Sequence, residues 1–174
     1  GLFFTADPYS KIIDPSDKKT STLFGDGATV TWIGVEPRFK TGQFVFGSNG
    51  MKYDGIIVRD NGILEMNGRA VFTFSVRVVP KNILDMLEKN NLGKDQIDLF
   101  LIHQGSLHIV NSIADELGVT RKKFPFHSKE YGNTVSSSIP MLLHREINNP
   151  RMKTTVISGF GVGLSWASSV LHRI

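Results

Sequence analysis

Apolar positions change period several times along the chain, and each change predicts an element. In residues 71–90, "VFTFSVRVVPKNILDMLEKN", Phe72, Phe74, Val76 and Val78 alternate with other residues, the signature of a strand. Ile83, Leu84 and Leu87 then repeat at helical spacing behind Pro80, which can open a helix. The pattern alone therefore predicts a strand followed by a helix. Residues 97–104, "IDLFLIHQ", form a short apolar run expected of a buried strand ending at His103. Ser106 is placed to cap the next helix, with Leu107, Val110, Ala114 and Leu117 as its apolar stripe and Gly118 as its stop.

Residues 123–128, "KFPFHS", read as extended, at the end of the basic cluster Arg121-Lys122-Lys123. Over residues 136–148, Ile139, Leu142, Leu143 and Ile147 repeat with helical spacing, and Pro140 costs this helix a hydrogen bond unless it falls in the first turn. Residues 21–35, "STLFGDGATVTWIGV", read as a strand, a Gly-Asp-Gly kink and a second strand. Residues 36–60 read as loops with short strands, followed by a turn at Asp60-Asn61-Gly62, a strand, and a further turn at Asn67-Gly68. The last segment, "TTVISGFGVGLSWASSVLHRI", reads as two strands around a glycine-rich loop at residues 159–163. This order of elements predicts an α/β layered domain.

Composition narrows the classes. A chain of 174 residues, 40% hydrophobic and 21% charged, has material for one sizeable core and is not a disordered sequence. The net charge of +4 fits an acidic partner or substrate and is no nucleic-acid signature. No apolar run is long enough to span a bilayer and no signal peptide opens the chain, so a cytoplasmic, non-membrane protein is expected. There are no cysteines, which excludes disulfides, thiolate metal sites and a cysteine nucleophile within this chain.

Two residues carry candidate chemistry. His103 stands where a buried strand meets a helix, the end of an α/β sheet at which ligands gather. There it can donate to an oxyanion or shuttle a proton; equally, it can be bonded into the strand end for packing alone. Asn133, in "YGNTVSSSIP", offers two uncharged amide hydrogens, or serves as turn punctuation and helix cap. The loop at residues 159–163 lacks the following helix that a dinucleotide site needs; it is either a tight hairpin or a source of a backbone N–H for an oxyanion. His103 and His108 are five apart with no third ligand at helical spacing, so no metal site and no cofactor are expected. Ser136–Ser138 lack a nucleophile elbow and read as small residues packing a helix start.

Three pieces taken in order, "IHQGSLHIV", "YGNTVSSSIP" and "GFGVGLSWASSVL", resemble the carboxyl-terminal half of β-ketoacyl-acyl-carrier-protein synthase III, in the thiolase superfamily. Family forms are His-Gln-Ala-Asn, Gly-Asn-Thr-Ser and a Phe-Gly-Gly-Gly-type loop before a Trp. "STLFGDGA" and "LEMNGRAVFTFSVRVVP" fit as well, so the resemblance covers almost the whole chain. It implies the carboxyl-terminal half of a thiolase-like layered fold, a mixed sheet with helices on both faces. Residues 1–35 would be the end of the amino-terminal half and residues 36–174 the carboxyl-terminal domain. It also implies one long helix through residues 71–90, against the alternating pattern.

The resemblance further implies an acyltransferase catalysing decarboxylative Claisen condensation, with acyl-CoA and a malonyl-acyl-carrier-protein as substrates and a homodimer as the complete protein. His103 and Asn133 would be the His and Asn of a Cys–His–Asn triad, and the Val162 N–H a second oxyanion donor. Gly68, Phe72, Ser106 and Phe160 would line the substrate site. The sequence departs from the pattern where Ser106 replaces an Asn, His108 an Arg that docks the carrier protein, and Val162 a Gly. The nucleophilic Cys is absent, so a Cys-bearing amino-terminal half is the expected partner and this chain alone is expected to be inactive. The alternatives are a non-catalytic scaffold, a split-enzyme subunit and a polyketide-type condensing enzyme.

Overall fold

The computed structural model describes residues Gly1–Ile174. In chain order it contains β1 (Leu2–Asp7), β2 (Gly27–Trp32), β3 (Phe39–Thr41), β4 (Val45–Ser48), β5 (Ile56–Val58) and β6 (Leu64–Met66). Then follow α1 (Gly68–Lys89), β7 (Leu99–Ile102), α2 (Leu107–Leu117), α3 (Ser138–Glu146), β8 (Thr154–Gly161) and β9 (Ser165–Arg173). The main sheet runs β3-β9-β8-β7, with β4 also pairing β9. β7 and β8 are parallel and the other pairs antiparallel, so the sheet is mixed.

Side-chain alternation along β7 explains why its sequence is an unbroken apolar run. Phe100 and Ile102 join the larger core with α1 and α2, while Leu99 and Leu101 join a second core with Leu142 of α3. All four are buried because helices cover both faces of the sheet. Phe100 stacks on Phe124 in the larger core, with centroids 4.6 Å apart.

Helix α1 spans the region where pattern predicted a strand and then a helix, and it agrees with the resemblance instead. The Asn67 side chain accepts from the Ala70 N–H at 3.0 Å, so Asn67-Gly68 is a helix start rather than a free turn. Buried positions 74, 75, 79, 80, 82, 83, 86 and 87 follow a helical period. Two of them are polar, Ser75 and Asn82, and these masked that period in the sequence. Ser75 returns its hydroxyl to the Val71 carbonyl at 2.8 Å. Asn82 donates to the Val45 carbonyl and accepts from Ser168, whose hydroxyl also meets Ser158 at 2.9 Å. Pro80 lies inside the helix at the expense of one backbone hydrogen bond. In α3, by contrast, Pro140 falls in the first turn, where its missing N–H costs nothing.

Helix α2 is capped by the Ser106 hydroxyl on the Ile109 N–H at 3.2 Å and stopped by Gly118 in the left-handed region, φ 63°. Its buried stripe is Val110, Ile113, Ala114 and Leu117; Leu107 is exposed, contrary to the expected stripe.

Strands β1 and β2 form a separate antiparallel ribbon, with Leu2 opposite Trp32. Its one buried residue is Thr5, whose hydroxyl meets those of Thr29 at 2.5 Å and Ser137 at 2.8 Å. Leu2, Phe3, Phe4, Val30, Trp32, Ile33 and Val35 are exposed, a large apolar surface for so small an element. The first strand expected within residues 21–35 does not form. Asp17 takes the Lys19 N–H and the Thr20 hydroxyl, winding that stretch into turns, and only Phe24 makes a bridge. No helix is long and apolar enough to cross a membrane.

Candidate active site

His103 follows the last residue of β7, and its N–H donates to the Ser158 carbonyl at 2.8 Å, carrying the β7–β8 pairing one residue further. The imidazole is thereby aimed out of the carboxyl end of the sheet. Its Nδ1 lies 2.7 Å from the Ser138 Oγ at the start of α3. The Phe160 ring stands edge-on to it at 5.3 Å. The opposite ring nitrogen, Nε2, makes no hydrogen bond to any side chain of the chain. Burial pushes the imidazole pKa from 6.5 down to about 4, with the Val135 carbonyl opposing the shift, so the ring is neutral at pH 7.

Asn133 is held on both sides by backbone. Its N–H donates to the Leu23 carbonyl at 2.9 Å, and its carbonyl accepts from the Gly25 N–H at 3.0 Å. Gly132, at φ 74°, makes the turn that brings this about, and a Cβ there would stand 2.9 Å from the Leu23 oxygen. The Asn133 Oδ1 accepts from the Val135 N–H at 2.9 Å, closing a side-chain turn. Val135 sits at φ 52°, a left-handed conformation that costs a β-branched residue about 1–3 kcal/mol. With its oxygen occupied, Asn133 keeps its amide NH₂ unpaired, though the residue is only 7% exposed.

Val162 lies in the turn between β8 and β9. Its carbonyl accepts from the Ser165 hydroxyl at 2.6 Å, and its N–H donates to no group of the chain. Gly68 and Phe72 come from the first turns of α1, and Phe72 stacks face to face on His108 of α2 at 4.7 Å. Ser106, besides capping α2, faces the same space.

All seven residues singled out in the sequence, His103, Asn133, Val162, Gly68, Phe72, Ser106 and Phe160, line one cavity of about 960 Å³ with mostly apolar walls. Two neutral N–H donors thus remain free there, the amide of Asn133 and the backbone of Val162, beside the neutral ring of His103. Buried uncharged donors stabilise an oxygen that gains negative charge and need no reorganisation to do so. Nothing in the cavity is an activated nucleophile. The Ser136 hydroxyl is committed to the Asp7 carboxylate, and Ser138 is buried behind the histidine. No group of three His, Asp or Glu side chains could hold a metal ion.

Sequence reasoning missed Ser138, which read as a small packing residue, and the strained Val135. Neither carries a local signal: the Ser138–His103 contact joins residues 35 apart, between α3 and the end of β7.

The depressed pKa of His103 has a consequence for stability. Between pH about 6.5 and about 4 the unfolded chain takes up a proton on this imidazole while the folded chain does not. The stability contributed by the neutral ring is therefore full above pH 6.5 and is lost as pH falls towards 4. Urea unfolding midpoints measured from pH 7.5 to 4.5 will fall more steeply for the wild type than for His103→Gln, which has no such group. Parallel pH curves would refute the shift.

The mixed sheet with helices on both faces is thiolase-like, and comparison with known proteins specifies it further. The family model for the carboxyl-terminal part of 3-oxoacyl-(acyl-carrier-protein) synthase III matches residues 87–173, and that for 3-oxoacyl-(acyl-carrier-protein) synthase III matches residues 1–50. The β-ketoacyl-(acyl-carrier-protein) synthase III of Lactococcus lactis is 37% identical over 99% of this chain and 59% of its own length. The structure of the same-named enzyme from Thermus thermophilus is 32% identical and superposes with a TM-score of 0.91 over 99% of this chain and 59% of that one. A priming β-ketosynthase of the R1128 polyketide pathway is 28% identical with a TM-score of 0.84, over 99% of this chain and 57% of that one. The chain belongs to the 3-oxoacyl-(acyl-carrier-protein) synthase III family, and it spans about three-fifths of the length of the curated relative described here.

Proposed function

We propose that this chain is the carboxyl-terminal part of an acyltransferase that condenses an acyl thioester with a malonyl thioester, releasing carbon dioxide. The observation that carries the reading is the pair of free neutral donors, Asn133 and the Val162 N–H, beside the neutral ring of His103 around one apolar cavity. In the proposed reaction a cysteine, absent from this chain, takes the acyl group from acyl-CoA. The malonyl carboxylate then leaves as carbon dioxide, and its bonding electrons form an enolate whose charge rests on the thioester oxygen. His103 and Asn133 donate to that oxygen. The enolate carbon attacks the acyl-cysteine carbonyl, the Val162 N–H stabilises the tetrahedral oxyanion, and its collapse expels the thiolate and leaves a β-ketoacyl thioester.

Gly68, Phe72, Ser106 and Phe160 form walls against which the thioester arm lies. On this reading residues 1–35 close an amino-terminal, cysteine-bearing half that covers the exposed face of the β1–β2 ribbon, and the complete protein is a homodimer. The second substrate is a malonyl-acyl-carrier-protein, although His108, stacked on Phe72, replaces the arginine expected for carrier docking. A purely scaffolding role accounts poorly for the Asn133 amide, kept unpaired in a residue only 7% exposed, since a buried unpaired polar group costs about 1–3 kcal/mol.

The test is reconstitution. Joined to the cysteine-bearing half, the chain will convert acyl-CoA and a malonyl thioester to β-ketoacyl product; the chain by itself will not. Assays with malonyl-CoA and malonyl-acyl-carrier-protein side by side will identify the second substrate. A complete protein that binds both thioesters and yields neither carbon dioxide nor product would establish the scaffold reading.

A further inference from the structure

We propose that Ser138 sets the tautomer of His103, giving its hydroxyl proton to Nδ1 so that the imidazole N–H sits on Nε2 and faces the cavity. The inference deepens the donor role proposed for His103 and rests on it. A neutral imidazole carries one N–H, and the partner of one ring nitrogen decides where it resides. Here the only side chain bonded to the ring is Ser138, whose Oγ lies 2.7 Å from Nδ1. Two orientations are open to that pair: the serine donates and Nδ1 is bare, or Nδ1–H donates and Nε2 is bare. Only the first leaves a donor in the cavity.

Three features favour it. The Ser138 Oγ has two polar neighbours, Nδ1 and, at 3.5 Å, the Gln104 N–H; only Nδ1 can accept the serine proton, which would otherwise be buried without a partner. Gln104 is fixed as well, its side chain holding the Ile102 and Pro125 carbonyls and the His127 N–H, so the backbone beside His103 cannot drift. Ser138 is itself 1% exposed, so water does not compete for the contact. One acceptor does compete for a proton on the ring, the Val135 carbonyl, which draws the imidazole pKa upward but lies outside hydrogen-bond geometry. Removing the serine takes away the one donor that holds Nδ1 bare. Ser138 is a positioning residue and touches no substrate.

The test is a long-range ¹H–¹⁵N correlation spectrum of the ¹⁵N-histidine-labelled chain at pH 7, which distinguishes bare from protonated ring nitrogens. Wild-type His103 will show a bare Nδ1 and a protonated Nε2. Ser138→Ala will move the equilibrium towards Nδ1–H, and Ser138→Thr, which restores a hydroxyl, will move it back. A protonated Nδ1 in the wild type overturns the proposal, as does an unchanged tautomer in Ser138→Ala. Should the alanine variant not fold, the wild-type and threonine spectra decide the matter.

In the assembled enzyme, Ser138→Ala will lower malonyl decarboxylation about 10–100-fold, the range seen when the hydrogen-bond partner that orients a metal-ligating histidine is removed. If the tautomer moves and decarboxylation does not change, the serine assignment stands and the donor role of His103 falls. If the tautomer stays while His103→Ala removes decarboxylation, the serine assignment alone falls.

Discussion

Replacing His103 by alanine in the assembled enzyme will lower malonyl-thioester decarboxylation by about 10²–10³-fold, the effect of deleting one oxyanion donor from a dry site. The loss will appear in kcat because, in the proposed mechanism, the charge that His103 stabilises develops only as carbon dioxide leaves. Acyl transfer to the cysteine, assigned in the proposed mechanism to the Val162 N–H instead, will be retained. This separation distinguishes a lost donor from a damaged fold. The substitution also leaves the Ser138 hydroxyl without its 2.7 Å partner, at a cost to stability of about 1–3 kcal/mol. Undiminished decarboxylation by His103→Ala would remove the residue from the mechanism.

The second large effect is expected far from any reacting atom. A Cβ added at Gly25 would stand 1.8 Å from the Tyr131 carbonyl oxygen, and the obstructing atom is backbone, so no side-chain rotation relieves it. The strand pairing that holds Asn133 runs through this residue, from the Gly25 N–H to the Asn133 carbonyl and from the Asn133 N–H to the Leu23 carbonyl. Gly25→Ala must part the two segments, and with them move the Asn133 amide from its place in the cavity that His103 also lines. Urea unfolding should show a loss of about 3 kcal/mol or more, at the upper end for overpacking because backbone must move. Decarboxylation should fall by about the factor of a deleted donor even where folded protein is recovered. Wild-type stability and activity in Gly25→Ala would mean that the clamp does not hold Asn133.

What the sequence disclosed depended on how local each cause was. Strand β7, α2 with its Ser106 and Gly118 ends, the turn at residues 60–62 and the β8–β9 hairpin follow from spacing and capping within a few residues. Helix α1 did not, because Ser75 and Asn82 on its buried side break the apolar period. Their hydroxyl and amide are satisfied by Val71 within the helix and by Val45 and Ser168 across it. Motif resemblance recovered this helix where periodicity failed. The stretch at residues 21–24 misled in the opposite direction: apolar Leu23 and Phe24 suggested a strand, but Asp17 winds the preceding chain into turns.

The seven candidate residues were named from motifs, and the fold brings all of them to one cavity. The residues behind them were invisible. Ser138 is one of many serines until α3 carries it against the histidine, and the strained Val135 is set by the Asn133 side-chain turn, which no composition or spacing reveals.

The most direct measurement of the account is a crystal structure of the assembled enzyme with a non-decarboxylating malonyl-thioester analogue. The thioester oxygen should lie within hydrogen-bond distance, about 2.7–3.1 Å, of both the His103 Nε2 and the Asn133 amide nitrogen. A thioester oxygen bound away from these two donors, with both side chains ordered, would contradict the proposed mechanism.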